Sequence, residues 1–413
     1  MEKEHFLIGK SRISGEVTPQ GSKNAALPLI AACVESRGKY VLKNVPEIDD
    51  VYTLLKIFSY YGVKYKFDRN ILSIDSTVIT SPKEKIEESK KLRASSYLIG
   101  AILPSLKQLS LNYPGGCKLG ERPLDIHFEV CKSLGIETID GEELYFERTK
   151  EGKNVVALRF PSVGATINAI LLSASSEREI IVENAAPEPE VDEVISFYKK
   201  TGVIIERVGR DIRIRGKENK KEIFHVVPFD RVVCGDYILL AAATGGELLI
   251  KGVDFRQEKA MISKLSQTSC QFRCFRDTIY IRSSGKLFGG VTTAPYPLFP
   301  TDLQAQFAAA CVGSGGACRI KEHVFGSRFA YFEELKKMGV SGELKGDELI
   351  LFPSRLKGGE VFAKDLRSGM ALVIAGFCAR EYTKVYDLRF IDRGYQNLVE
   401  VLNSINGDIK RIK

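Results

Sequence analysis

The chain has 413 residues, 44% of them hydrophobic and 27% charged, with a formal net charge of +8. That is enough apolar material for two sizeable cores. The charge is spread along the chain, which suits acidic small molecules as well as nucleic acid, and basic runs interleaved with aromatics are missing, so no nucleic-acid partner is read from it. Nine cysteines lack the paired spacing of zinc sites, with Cys270 and Cys274 as an isolated near pair, and there are only four histidines. The opening M-E-K-E-H-F-L-I has no signal-peptide apolar run. These features predict a reduced, cytoplasmic protein with no metal site, no cofactor and no membrane insertion, and leave its oligomeric state open.

Taken in chain order, two kinds of helix alternate. A small, mostly apolar helix opens at G-S-K-N-A-A-L-P (21–28), and an amphipathic one follows, closing at L-L-K-I-F-S-Y-Y-G with Gly62. The pair recurs at K-L-R-A-S-S-Y-L (91–98) with F-E-V-C-K-S-L-G (Gly135), and at P-S-V-G-A-T-I-N (161–168) with I-S-F-Y-K-K-T-G (Gly202). Three further pairs complete the chain. They are V-V-C-G-D-Y-I-L (232–239) with M-I-S-K-L-S-Q-T-S (Ser269), P-T-D-L-Q-A-Q-F (300–307) with F-E-E-L-K-K-M-G (Gly339), and D-L-R-S-G-M-A-L (365–372) with V-E-V-L-N-S-I-N (Asn406).

Gly, or Asn in its place, suits the residue that turns left-handed after a helix. Here these residues recur at intervals of 73, 67, 67, 70 and 67, with Ser269 the weak member. The first helix of each pair is apolar nearly all round, which marks burial, and none reaches the ~20 apolar residues of a membrane span. Alternation with short β-rich runs predicts two α/β domains of three units each.

Helix N-termini attract anions, and the buried helices open on Lys23, Arg93, Ser162, Gly164 and Arg367. Cations are disfavoured there unless an anion lies between them and the dipole. Three cationic openings therefore suggest convergence on one strongly anionic ligand bearing phosphate or carboxylate. The loop P-G-G-C-K-L-G-E-R-P-L-D (114–125) adds a thiol, Cys117, in a Gly-rich setting beside Lys118 and Arg122, cations that favour a thiolate or an anionic substrate.

The motifs G-S-K-N-A-A-L-P, L-R-A-S-S, P-G-G-C-K-L-G-E-R-P-L-D-I-H, S-V-G-A-T, E-N-A-A-P-E-P-E, A-P-Y-P-L-F-P-T-D-L-Q-A-Q, D-L-R-S-G and D-R-G-Y occur in this order. In that combination the chain resembles the UDP-N-acetylglucosamine enolpyruvyl transferase family, from about residue 10 to the C-terminus. The resemblance implies a two-domain inverted α/β barrel of six repeated strand–helix units, pseudo-threefold in each domain. One domain would span 22–228 and carry the Cys loop; 1–21 with 229–413 would form the second, with the active site in the cleft between them. The implied reaction moves the enolpyruvyl group of phosphoenolpyruvate to the 3-hydroxyl of UDP-N-acetylglucosamine, releasing phosphate, as the first committed step of peptidoglycan synthesis.

Such chemistry needs a base for the hydroxyl, an acid for the methylene carbon and a cationic cage. By resemblance Cys117 is the acid and Asp302 the base, an N-cap position being equally compatible with Pro-Thr-Asp before a helix. Lys23, Arg122 and Arg393 match phosphoenolpyruvate contacts, with Arg93 and Arg367 lining the same cleft. Asn24 fixes the amino-sugar, and Asp365 is an acidic neighbour of the centre. Arg122, Pro123, Leu124, Asp125, Ser162, Val163, Gly164 and Val324 carry the nucleotide. Glu188 and Glu190 are expected to cap the following helix, and Arg328 and Arg231 to lie at the cleft rim or in ion pairs.

Several supporting positions depart from the family pattern. Gln20-Gly21-Ser22 replaces Ser-Gly-Ala, Gly326-Ser327-Arg328-Phe329 replaces E-N-R-F, and D-L-R-S replaces D-L-R-A. The family's D-R-I-E-A-G-T is D-R-V-V-C-G-D, removing a Glu and adding Asp236, and Leu298 replaces a Gly shortly before Asp302. If that Gly required positive φ, Leu298 would strain or re-aim Asp302. The pattern fits a divergent paralogue. Two alternatives stand beside it. The sister enzyme acting on shikimate 3-phosphate lacks the G-G-C loop and opens with Lys-Ser rather than Lys-Asn. A weakly active, UDP-sugar-binding regulatory protein would have no need of Cys117, Asp302 and Lys23 together.

Overall fold

The computed structural model describes residues 3–115, 124–216, 222–326 and 328–413. They divide into two compact units, the first holding residues 21–115 and 124–228 and the second residues 3–20 and 229–413. The first carries α1 (Lys23–Glu35), α2 (Asp49–Ser59), α3 (Leu98–Leu106), α4 (Asp125–Ser133), α5 (Val163–Ser173) and α6 (Pro189–Thr201). The second carries α7 (Arg231–Thr244), α8 (Lys259–Leu265), α9 (Gln304–Gly313), α10 (Tyr331–Lys337), α11 (Leu366–Cys378) and α12 (Leu398–Ser404).

The odd-numbered helices are the apolar ones of the repeat, and they are buried almost end to end. Within the first unit α1, α3 and α5 pack on one another; within the second α7, α9 and α11 do. A helix surrounded by other helices has no wet face, so its sequence needs no polar stripe. The even-numbered helices keep one polar face. Among the described residues each unit also has three small sheets. One in the first unit runs Glu222–Val226 parallel to Lys39–Lys43, then antiparallel to Ile71–Asp75, which pairs with Lys64–Asp68. The N-terminal strands His5–Gly9 and Ser14–Val17 complete two sheets of the second unit.

The left-handed residues closing the amphipathic helices appear at Gly62, Gly135, Gly202, Gly339 and Asn406, with φ of 88°, 76°, 99°, 88° and 64°. Ser269 is not among the residues of positive φ. Its hydroxyl instead accepts the Lys286 N–H at 3.0 Å, so a side-chain bond closes that turn. Leu298 also lies outside the positive-φ set and is 61% exposed. The expected strain at that position is therefore absent, because the backbone there is one any L-residue adopts.

Candidate active site

In the second unit, the P-T-D turn forms a single 3-10 turn (Thr301–Leu303) ahead of α9. Asp302 does not cap the helix, contrary to the capping alternative. Its side chain turns away from the α9 N–H groups and is held by two arginines. Arg328 Nη2 donates to Oδ1 and Arg367 Nη2 to Oδ2, each at 2.8 Å. The arginine side chains are 5% and 9% exposed and that of Asp302 27%. Burial opposes ionisation of Asp302, but the charges and hydrogen bonds of Arg367 and Arg328 outweigh it and hold the carboxyl well below the usual range.

Each arginine has its own anchor. Asp365 caps α11 in a capping box with Ser368 and accepts the Arg367 N–H at 2.8 Å, fixing the backbone that presents Arg367. Arg328 Nη1 donates to Thr301 Oγ1 at 2.9 Å, and its carbonyl accepts from Gln304 Nε2 at 2.8 Å. Behind Thr301 the buried Glu322 accepts from the Thr301 and Thr293 hydroxyls and from the N–H groups of Val324 and Phe325. Val324 is thus held by its backbone. Arg393 lies half-buried in the turn over residues 391–394, beside Asp392, which pairs with Arg411.

In the first unit, Lys23 opens α1 and its Nζ lies 2.5 Å from Asp50 on α2, with both side chains largely buried. Asn24 follows, half-buried. Arg93 opens a 3-10 turn (Arg93–Tyr97) ahead of α3 rather than the α-helix itself, and burial lowers its pKa. Ser162 caps α5, its hydroxyl accepting the Ala165 N–H at 3.4 Å, with Val163 and Gly164 in the first turn. Gly164 packs closely: a Cβ there would lie 3.1 Å from the His127 ring, which would have to give by a few tenths of an ångström.

His127, on α4, accepts from Asn168 Nδ2 at 2.8 Å through Nδ1, which places its proton on Nε2. The Asn168 amide also donates to the Ser96 carbonyl and accepts the Gly100 N–H, tying α3, α4 and α5 together. Burial first, and the nearby Arg93 charge second, push the His127 pKa down to about 3. Leu124 is buried and Asp125, the first residue of α4, pairs with Arg159. Cys117, Arg122 and Pro123 lie outside the described residues. An open groove of about 560 Å³ on the Lys39–Lys43 sheet, lined by Lys64, Tyr65 and Phe224, contains none of these residues.

The family model for EPSP synthase (3-phosphoshikimate 1-carboxyvinyltransferase) matches residues 7–402. A protein of Halothermothrix orenii named UDP-N-acetylglucosamine 1-carboxyvinyltransferase is 36% identical over 412 residues, covering 99% of both chains. One of Listeria monocytogenes, UDP-N-acetylglucosamine 1-carboxyvinyltransferase 2, is 35% identical over 410 residues, covering 98% of this chain and 97% of its own. The chain belongs to the UDP-N-acetylglucosamine 1-carboxyvinyltransferases, within the EPSP synthase family. The fold is that of two solved enolpyruvyl-transferring enzymes. The enolpyruvyl transferase NikO from Streptomyces tendae superposes with a TM-score of 0.88 at 19% identity, covering 99% of each chain. EPSP synthase from Acinetobacter baumannii gives 0.73 at 17%, covering 99% of this chain and 100% of its own.

For a member of this carboxyvinyltransferase family, the geometry sharpens one expectation and revises two. Arg328, expected at a rim or in an ion pair, is in an ion pair, and its partner is Asp302 itself. Two of the cations at helix openings, Lys23 and Arg367, are met by the protein's own carboxylates, Asp50 and Asp302. Glu188 occupies the N-cap position of α6 by its backbone, but its side chain makes no capping hydrogen bond; Pro189 at N1 lacks the N–H that would otherwise need one. Arg231 lies over the Tyr296 ring, 5.6 Å from its centroid. Sequence reasoning missed Glu322, Gln304 and Tyr395, whose roles depend on partners about 20 to 160 residues away. The Q-A-Q that follows Asp302 and the D-R-G-Y motif ending in Tyr395 held two of them without showing their partners.

Proposed function

We propose that this protein transfers the enolpyruvyl group of phosphoenolpyruvate to the 3-hydroxyl of UDP-N-acetylglucosamine and releases phosphate, committing the sugar nucleotide to peptidoglycan synthesis. The observation that carries the choice of acceptor is the full-length match at 36% identity to a relative of that name. The setting of Asp302 supports its part in the chemistry. The carboxylate is ionised and therefore ready to take a proton, though the two arginines keep its proton affinity low.

In this reading the acceptor hydroxyl loses its proton to Asp302 as its oxygen bonds to the phosphate-bearing carbon of phosphoenolpyruvate. Cys117 gives a proton to the methylene carbon, which becomes a methyl group in a tetrahedral adduct. The carbon–oxygen bond to phosphate then breaks as the Cys117 thiolate takes a proton back from the methyl carbon, restoring the double bond and the thiol. Arg328 and Arg367 are the groups on which an anionic substrate competes with Asp302. An anion that takes over part of either guanidinium weakens the clamp and raises the proton affinity of Asp302 as the substrate arrives. Lys23, Asn24, Arg93, Arg122 and Arg393 supply further substrate contacts, and Pro123, Leu124, Asp125, Ser162, Val163, Gly164, Val324 and Asp365 hold or shape the nucleotide and sugar sites.

The test is phosphate release from phosphoenolpyruvate with UDP-N-acetylglucosamine or shikimate 3-phosphate as acceptor. Release with the sugar nucleotide alone is the expected outcome. Release only with shikimate 3-phosphate reassigns the acceptor, and tight sugar-nucleotide binding without release turns the protein into a binder. Cys117→Ala is expected to lose most turnover and keep sugar-nucleotide binding by calorimetry.

A further inference from the structure

Asp236 is a carboxylic acid in the middle of an otherwise apolar helix, α7, and it is 0% exposed. An isolated buried carboxylate is expensive, so what surrounds it is informative. The Tyr395 hydroxyl, from the segment ahead of α12, donates to Oδ2 at 2.6 Å. Gln306 faces it from α9, and the Arg367 guanidinium acts on it from α11. Its own helix contributes Asp230, a like charge at the N-cap, with Cys234 and Tyr237 as neighbouring titratable groups.

Arg367 is therefore shared. It donates directly to Asp302, and its charge acts at longer range on Asp236 and on the Tyr395 hydroxyl bound to it. Two carboxylates drawing on one guanidinium are coupled. When Asp236 is ionised, part of the field of Arg367 is spent on it and Asp302 is held less tightly. When Asp236 is protonated, Arg367 is left to Asp302, whose proton affinity falls.

We propose that Asp236 is a positioning residue whose charge, acting through Arg367, sets the proton affinity of Asp302 and so the rate of proton abstraction from the acceptor hydroxyl. This deepens the reading of Asp302 as the base and rests on it. Burial, opposed by Arg367 and Tyr395 and reinforced by Asp230, raises the Asp236 pKa to about 7, so the charge changes within the neutral range. Turnover then falls as pH drops through that range.

The experiment measures kcat at saturating phosphoenolpyruvate and UDP-N-acetylglucosamine across neutral pH, for the full chain and for Asp236→Asn. The parent is expected to show an acid limb with a midpoint of about 7. Asp236→Asn is expected to lose that limb and to run about tenfold slower at about pH 8, with KM for phosphoenolpyruvate unchanged or lower. A limb that survives in Asp236→Asn, or a variant changed only by a higher KM, overturns the proposal. Tyr395→Phe removes one hydroxyl and should move the limb to higher pH; an unmoved limb again counts against it. It also serves if Asp236→Asn does not fold. Asp302→Asn separates the two readings. If it turns over near the parental rate the base assignment fails, whereas an inactive Asp302→Asn beside a parent-like Asp236→Asn sinks only the coupling.

Discussion

The openings of α11 and α5 are built from the same kind of sequence, a polar cap followed by small and apolar residues, yet their electrostatics are opposite. At α11, Asp365 caps the helix, and Arg367 in its first turn meets Asp302, with Arg328 on the other carboxylate oxygen. Two ion pairs meet there. At α5, Ser162 is the cap, Gly164 leaves room for an imidazole, and that imidazole is kept neutral by burial and by the nearby Arg93 charge, with the Asn168 amide fixing its tautomer. The first site is arranged to shift charge between partners. The second presents hydrogen-bonding groups whose protonation does not change near neutral pH. Such a division suits a reaction that moves protons at one place while holding a nucleotide at another.

The largest effect expected from disturbing this contrast is at Asp302. Asp302→Asn keeps the side chain's size but removes the proposed base and turns an amide N–H toward one of the two arginines, so turnover should drop by about a thousandfold or more and the melting temperature should fall. A small loss in phosphate release would mean that the ionic site is structural. The second effect concerns His127. Its folded pKa lies below the ordinary 6.5, so the neutral ring stabilises the fold above about pH 6.5. That stability is lost as pH falls toward about 3, by up to about 1.4 kcal/mol per pH unit. Asp236 works with the opposite sign. Its raised pKa favours the fold at low pH, and that contribution fades as pH rises from about 4 toward about 7.

His127→Gln should therefore flatten the decline in melting temperature between about pH 6.5 and about pH 5 relative to the parent, and an identical decline in both would show the ring already charged in the fold. The smallest effect belongs to Arg159→Ala. Arg159 and Asp125 are 56% and 43% exposed, so their pair should change stability by less than about 0.5 kcal/mol in chemical denaturation. A larger change would place Asp125 in a tighter setting than its exposure indicates.

Much of this was legible in the chain itself. The twelve α-helices of the described residues, in alternating buried and amphipathic pairs, follow from local pattern, and Gly62, Gly135, Gly202, Gly339 and Asn406 turn left-handed where their spacing said they should. Apolar periodicity and helix termination are short-range properties, decided within a few residues, and a sequence records them directly. Asp302, Arg367, Asp365 and Lys23 were named as chemical residues by their motifs. The structure alone decided what each of them touches. Arg328 reaches Asp302 across 26 residues, Arg367 across 65, and Tyr395 meets Asp236 across 159. Whether a carboxylate is clamped, a histidine neutral or an aspartate protonated near neutral pH depends on burial and on the charges within a few ångströms. Those neighbours are assembled by helices from distant repeats, and no local pattern encodes them.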